Sequence, residues 1–273
     1  MHSFDSLTQE LRRIGVSPGG VLLVQGSLRA VGPIEGGART LVAALREVLG
    51  PQGTLVAYTA TPENSLTSRL DQERTAGMDE EQLRDYRGRM PAFDPRTTPV
   101  SPTIGRLAEE IRATPGALRS AHPQTSFAAI GPQARAVTEG HALRSHLGEE
   151  SPTRRLYDLE ARGLLIGIPL YLCTAYHLAD YRAFQLPSRP YRAVVLDADG
   201  RRTWLDFEGL DIDDRHFPQF VPVLQAVLEA KRRAERRAER DLPGGRLGEA
   251  DCHLVPIPDA VDAIAKWLID NRS

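Results

Sequence analysis

The sequence predicts an α/β protein with a central mixed, largely parallel sheet and helices on both faces, a three-layer arrangement with a hairpin insertion. Three observations predict it. Val21-Leu-Leu-Val24, Thr54 to Tyr58 and Leu164-Leu-Ile-Gly-Ile168 are short aliphatic runs of the kind that fill strands buried on both faces. Ala38 to Leu49 reads as a helix between the first two, and strand–helix–strand order marks a right-handed parallel crossover. The 273 residues suffice for one sizeable core, and without a repeat or low-complexity linker a single domain over 1–273 is expected.

In chain order, Ser6 to Ile14 carries Leu7, Leu11 and Ile14 on one helical face. Pro18-Gly-Gly20 turns the chain into the first strand, and Gly26-Ser27 ends that strand. A loop through Gly32-Pro33 and Gly36-Gly37 opens the helix at Ala38, and Gly50-Pro-Gln-Gly53 turns into the second strand. Residues 62–100 are polar and charged, and so long an excursion in a compact domain usually serves function or lacks order. Helices are expected over Ser101 to Ala113, Pro132 to Thr138 and Ser151 to Leu159, with His122 to Gly131 a short strand and turn. In the third of these helices, Ser151-Pro152 supplies a cap followed by a first-turn proline. Tyr191 to Leu196 and Arg202 to Phe207, around Asp197-Ala-Asp-Gly200, form the strongest hairpin signal. Pro222 to Asp241 reads as a long helix whose Lys231–Arg240 half is saturated with mixed charge, a solvated face rather than a nucleic-acid arm. Hairpin and charged helix together span about 190–241. A last helix runs from Pro258 to Ile269.

Composition excludes several classes. With 34 basic and 36 acidic residues, net charge −2, no global field gathers nucleic acid. Cys173 and Cys252 lie far apart without a CxxC spacing, which argues against a disulfide framework and a structural zinc. No apolar run approaches membrane-spanning length and the amino terminus shows no signal segment, so a cytoplasmic location is expected, with no membrane or nucleic-acid partner and no metal.

The most informative stretch is Thr174-Ala-Tyr-His177-Leu-Ala-Asp180, at the start of an expected helix after a buried strand. The carboxyl ends of such strands present reactive side chains to a crevice, and a histidine there changes charge near neutral pH. On spacing alone an ordinary hydrogen-bonded histidine remains the commoner reading.

Taken together, the segments resemble the aminoglycoside 3-N-acetyltransferase family, antibiotic acetyltransferases distinct from the GNAT fold, over roughly residues 5 to 270. The resemblance is carried by Val24-Gln-Gly-Ser27-Leu-Arg29 with Glu35-Gly-Gly37, Gly53-Thr-Leu-Val56 with Thr59, and Met90-Pro-Ala-Phe-Asp94-Pro95. Arg119-Ser-Ala-His122-Pro123, Ser126-Phe-Ala-Ala129, Leu147-Gly-Glu149-Glu-Ser151-Pro152 and His177-Leu-Ala-Asp180 complete it. Three departures stand out. Gln25-Gly26 replaces the family's frequent His-Ser. Pro169-Leu-Tyr-Leu-Cys-Thr174 is apolar where the family is usually polar. Asp180 stands where a glutamate is more frequent.

The resemblance implies acetyl-CoA as co-substrate, an aminoglycoside amine as acceptor, and His177 as general base. Glu149 is the candidate to orient the imidazole, although it would equally favour a helix start. Ser27, Leu28, Arg29 and Val31 are expected along the pantetheine and pyrophosphate path, with Thr59, Ser126 and Phe127 near the thioester and His122 close by. Gly36 and Gly37 would offer backbone N–H groups to phosphates. For the glycines a tight turn, for Phe127 a core position and for His122 a structural role stay open. Asp94, Asp180, Glu208 and Asp211 are the candidate carboxylates for a polycationic acceptor. Gly-x-Ser-x-Gly is absent, and Cys173 in apolar surroundings is a poor nucleophile, so direct attack is favoured over a covalent route. Two alternatives remain: an acyltransferase on a different amine, such as a natural-product intermediate, and a coenzyme-binding regulator without catalysis. A homodimer is left open.

Overall fold

The computed structural model describes residues 1–237 and 245–271. The first half of the chain forms α1 (Phe4–Ile14), β1 (Val21–Gly26), α2 (Leu28–Val31), α3 (Ala38–Leu49), β2 (Thr54–Tyr58), α4 (Arg69–Thr75), α5 (Glu80–Arg89) and α6 (Arg106–Ala113). β3 (Leu118–Arg119), β4 (Phe127–Ile130), α7 (Ala134–Thr138), α8 (Pro152–Asp158), β5 (Arg162–Ile166) and α9 (His177–Ala183) follow. The remainder is β6 (Ser188–Leu196), β7 (Arg202–Leu210), α10 (Val221–Arg237), β8 (Gly245–Leu247), β9 (Ala250–Pro256) and α11 (Ile257–Asp270).

Seven strands make one mixed sheet in the order β3-β4-β2-β1-β5-β9-β8. Its centre is parallel, with β1 between β2 and β5, while β4, β9 and the edges pair antiparallel. The aliphatic runs behave as a doubly covered sheet demands. Val21, Leu23, Val56, Leu165 and Val255 face one apolar layer, shared with α7 to α11. The alternate residues Leu22, Val24, Leu55, Leu164 and Leu254 face the other, shared with α1, α3 and α6. A one-residue slip would exchange the two sets, so burial on both sides fixes the register.

The chain leaves β1 toward β2 on one side and returns as β5 on the other, so β1 is the switch point where α/β sheets open a crevice at their carboxyl ends. Close backbone contact holds that rim. A Cβ on Gly26 would lie 2.6 Å from Ile166 Cβ.

The polar excursion 62–100 is ordered around α4 and α5 and fastened to the separate β6–β7 hairpin. Bridges join Ser65 to Ala193 and Phe93 to Val195, and Phe93 exchanges 2.9 Å backbone hydrogen bonds with Val194 and Leu196. The helix expected from Ser101 starts only at Arg106, and β8 and β9 occupy a region for which the sequence offered no element. The end of the charged Lys231–Arg240 segment, residues 238–240, lies outside the described residues. No described helix is long and apolar enough to cross a membrane.

Candidate active site

The carboxyl ends of β1, β2 and β5 open into a cleft of about 810 Å3. One wall carries Gln25, Ser27, Leu28 and Arg29 after β1, and Thr103 to Ala108 at the start of α6. The other carries Ile168, Leu172, Thr174 and His177 after β5, with Asp214 and Phe217 from the segment behind the hairpin. Tyr58, at the end of β2, lies among them, and burial followed by the charge of Asp214 pushes its hydroxyl pKa up.

Gln25 clamps the loop after β5. Its Nε2 donates to Thr174 Oγ1 at 2.8 Å, and its Oε1 accepts from the Thr174 backbone N–H at 2.9 Å. Leu172 N–H closes a turn onto Pro169 O at 2.9 Å, and the fully buried Tyr176 donates to Leu170 O at 3.3 Å. A short 3₁₀ turn over Thr174–Tyr176 then delivers His177 as the first residue of α9.

His177 and Asp180 are one helical turn apart and share a face. His177 Nδ1 lies 3.1 Å from Asp180 Oδ2, and the carboxylate's other oxygen lies 2.8 Å from His216 Nε2. Asp180 is 2% exposed. Burial works to raise its pKa, yet the hydrogen bonds from His177 and His216 hold it below the usual carboxylate range. In the neutral ring, an Nδ1–H donated to that carboxylate leaves Nε2 as the nitrogen with the free lone pair. The Phe217 ring packs 4.6 Å from the imidazole.

The residues expected here are only partly brought together. His177, Ser27, Leu28 and Arg29 line the cleft, although Ser27 also caps α2 through a 3.3 Å bond from Ala30 N–H. Glu149 is paired with arginines and not with the imidazole. Its carboxylate is committed to Arg182 at 2.8 Å and Arg154 at 2.5 Å on an exposed face, where it ties α8 to α9, and the carboxylate that meets the imidazole is Asp180. Val31, the last residue of α2, is turned into the core. Gly36 and Gly37 lead into α3 and do not line the cleft. Thr59 and Ser126 are fully buried 3.1 Å apart and both receive Arg119 Nε. Phe127 fills the core behind Tyr58, with ring centroids 5.1 Å apart. His122 belongs to a buried imidazole group with His141 and His146.

Among the acidic candidates, Asp94 is spent on its own turn, accepting from Arg96 N–H at 2.8 Å, and that bond holds its pKa down. Glu208 accepts from Ser188 Oγ at 3.0 Å on the hairpin and borders a different hollow. Asp211 pairs with Arg189 at 3.0 Å, and it shares with Asp180 and His216 a second cleft, of about 640 Å3.

Sequence reasoning missed the start of α6. Gly105 is its N-cap, with φ 104° and no side-chain cap hydrogen bond. The first turn therefore offers backbone N–H groups to an anion beside Arg29 and Arg106. Thr103-Ile-Gly105-Arg106 was the available signal, hidden by placing the helix start at Ser101. His216 and Phe217 were missed because nothing local ties them to a helix some 36 residues earlier.

Comparison with known proteins places the chain in a family. The sequence profile described as Aminoglycoside 3-N-acetyltransferase matches residues 23–269. An aminoglycoside N(3)-acetyltransferase III of Serratia marcescens is 39% identical over 214 residues, 77% of this chain and 77% of that protein. The crystal structure of YokD from Bacillus subtilis superposes with a TM-score of 0.84 at 30% identity, covering 99% of this chain and 100% of the other. AAC-IIIb, solved as a binary complex with CoASH, superposes with a TM-score of 0.77 at 27% identity, covering 100% and 99%. The chain belongs to the aminoglycoside 3-N-acetyltransferase family, a class of acyltransferases.

Proposed function

We propose that the protein is an acetyl-CoA-dependent N-acetyltransferase acting in the cytoplasm on the 3-amino group of a 2-deoxystreptamine aminoglycoside, with His177 as general base. The observation that carries this reading is the cleft-lining His177 whose Nδ1 is tied to the buried Asp180. Coenzyme A fits the opposite wall. The uncapped turn of α6 with Arg29 and Arg106 suits a pyrophosphate, and Leu28 and Ile104 offer apolar surface to a pantetheine arm.

Bound acetyl-CoA supplies an electrophilic thioester carbon. His177 Nε2 takes a proton from the acceptor amine as the nitrogen bonds to that carbon, and the C–S bond breaks to release the thiolate. Asp180 holds the ring and stabilises the imidazolium that forms. Direct attack is supported by Cys173, the cysteine nearest His177 in sequence: it is 1% exposed, and burial pushes its thiol up to about 12. Acetylating an amine removes a positive charge from the antibiotic, which is how such a transfer confers resistance.

One observation favours a second reading. The wall beside His177 is mostly apolar, with Ile168, Leu172 and Phe217, and Asp214 is its one carboxylate among the described residues. A more hydrophobic amine fits that wall better than a polycation. The test is thiol release from acetyl-CoA across an amine panel. Release with 2-deoxystreptamine antibiotics supports the first reading, release only with other amines supports the second, and no release with any amine sinks both.

A further inference from the structure

We propose that His216 is a positioning residue for the transfer: it holds the buried Asp180 carboxylate in register with His177 and, by its own protonation, sets how much of that carboxylate's charge reaches the base. This rests on His177 acting as the base.

The geometry is a carboxylate shared between two imidazoles. Asp180 Oδ2 meets His177 at 3.1 Å and Oδ1 meets His216 at 2.8 Å. Without the second contact, one oxygen of a carboxylate 2% exposed would lack its partner, and the group would be free to turn away from His177. The His216 ring is itself held edge-on against Phe217 at 5.1 Å and Phe220 at 5.3 Å. Its side chain is 31% exposed and borders the second cleft, so it exchanges protons with water where Asp180 does not.

The charged groups around His216 are few and defined. Asp180 faces it from α9, with His177 beyond. Asp213 and Asp214 lie on its own segment, and Arg215 beside it is paired with Asp213. Asp211, paired with Arg189, shares the second cleft. α11 presents Trp267, Leu268 and Asn271 there, and the turn before α10 presents Gln219. The hydrogen bond to Asp180 outweighs burial and raises the pKa of His216 above that of an ordinary imidazole. While His216 is neutral, the whole carboxylate charge is available to an imidazolium forming at His177. Once His216 is protonated, two cations compete for one carboxylate, so the two rings titrate as a coupled pair.

The test uses the intact protein and two substitutions. H216Q keeps a donor toward Asp180 without a titrating charge, whereas H216F keeps a ring and deletes the donor. The His177 Cε1–H resonance, assigned by its loss in H177A, is followed by NMR through the imidazole range. We expect a coupled, shallow transition in the wild type, and in H216Q a single one displaced to higher pH by about half a unit or more. In turnover of acetyl-CoA with a 2-deoxystreptamine aminoglycoside, H216F should lose about tenfold or more in kcat at unchanged KM for acetyl-CoA. H216Q should recover most of that kcat and show the same displacement in the acid limb of its pH profile. An identical His177 titration in wild type and H216Q overturns the proposal. So does an equal fall of kcat in both variants with the acid limb unmoved, which is the mark of a purely structural role. Should H216F fail to fold, the H216Q titration still decides. Wild-type turnover by a folded H177A protein would instead remove the base assignment, and the NMR coupling is read independently of that.

Discussion

Two groups of histidines differ in one ingredient. His177 and His216 share a carboxylate. His122, with His141 at 4.7 Å and His146 at 4.6 Å between ring centroids, lies against Phe207 of the hairpin, His146 lies against Tyr191, and no carboxylate bonds this group among the described residues. His122 Nδ1 accepts backbone N–H bonds from Gln124 and Thr125 at 3.2 Å, and its Nε2 faces Leu143 O at 3.1 Å, which fixes a neutral ring. Burial pushes His141 down to about 4 and His146 to about 3, and sends His122 well below its ordinary value. In the His177 pair, the hydrogen bond to Asp180 instead raises His216. Burial and like-charged neighbours disfavour the charged ring at His122 and His146, whereas a carboxylate partner favours it at His216.

The largest test of that contrast is kinetic. H177A should lower kcat by about 10²–10⁴-fold, the usual worth of a general base, with the KM for acetyl-CoA unchanged. H141Q should leave kcat within about threefold and lower unfolding stability by about 1–3 kcal/mol. Equal kinetic effects from the two would break the distinction.

The two groups should also respond to acid with opposite signs. Each cluster histidine has a folded pKa below its unfolded value, so the unfolded chain takes the proton first. Its stabilising share is complete above about pH 6.5 and is lost as pH falls toward about 4 for His141 and about 3 for His146, by up to about 1.4 kcal/mol per unit each. His216 is raised, so its share is complete below the unfolded value and is lost as pH rises through the folded one. Urea midpoints measured against pH check both. H141Q should flatten the acid side of that curve, and H216Q the neutral to alkaline side.

A smaller effect separates the acidic residues. D214N should raise the acceptor's KM several-fold and weaken its dependence on salt, since exposed charge pairs are screened over about 8–10 Å. D94N should leave that constant alone, because Asp94 serves its own turn. Smallest of all, C173A should keep turnover within about threefold, the thiol being buried and pushed up to about 12.

What could be read from the chain was whatever local pattern encodes. β1, β2 and β5 announced themselves because a doubly covered strand must be aliphatic throughout, and His177 because it follows one of them. β9 went unread, since Ala250-Asp-Cys-His-Leu-Val-Pro256 mixes polar residues into a strand that joins the sheet only through β5 and β8. Asp180 was seen as an acceptor carboxylate, although its place three residues along the helix already set it against the imidazole ring. The pairing of Glu149 with Arg154 and Arg182 was not legible, because these arginines flank it in space rather than in an obvious motif. Gly148 beside it explains part of that segment: a Cβ there would lie 2.1 Å from the Tyr181 ring, so the turn and α9 need a glycine to meet. His216 could not be found locally, since a contact spanning 36 residues leaves no periodic trace.

The hairpin and the 62–100 excursion brace each other through Phe93 and Ser65 and lie outside the seven-stranded sheet. Asp214 and Phe217 enter the cleft from the segment directly after that hairpin, whereas Arg29 and the start of α6 enter from the sheet side. The cleft is therefore built partly from the sheet and partly from the segment after the hairpin. A substitution at Asp214 changes the surface of the cleft without altering a strand of the sheet, so that surface can vary within one fold.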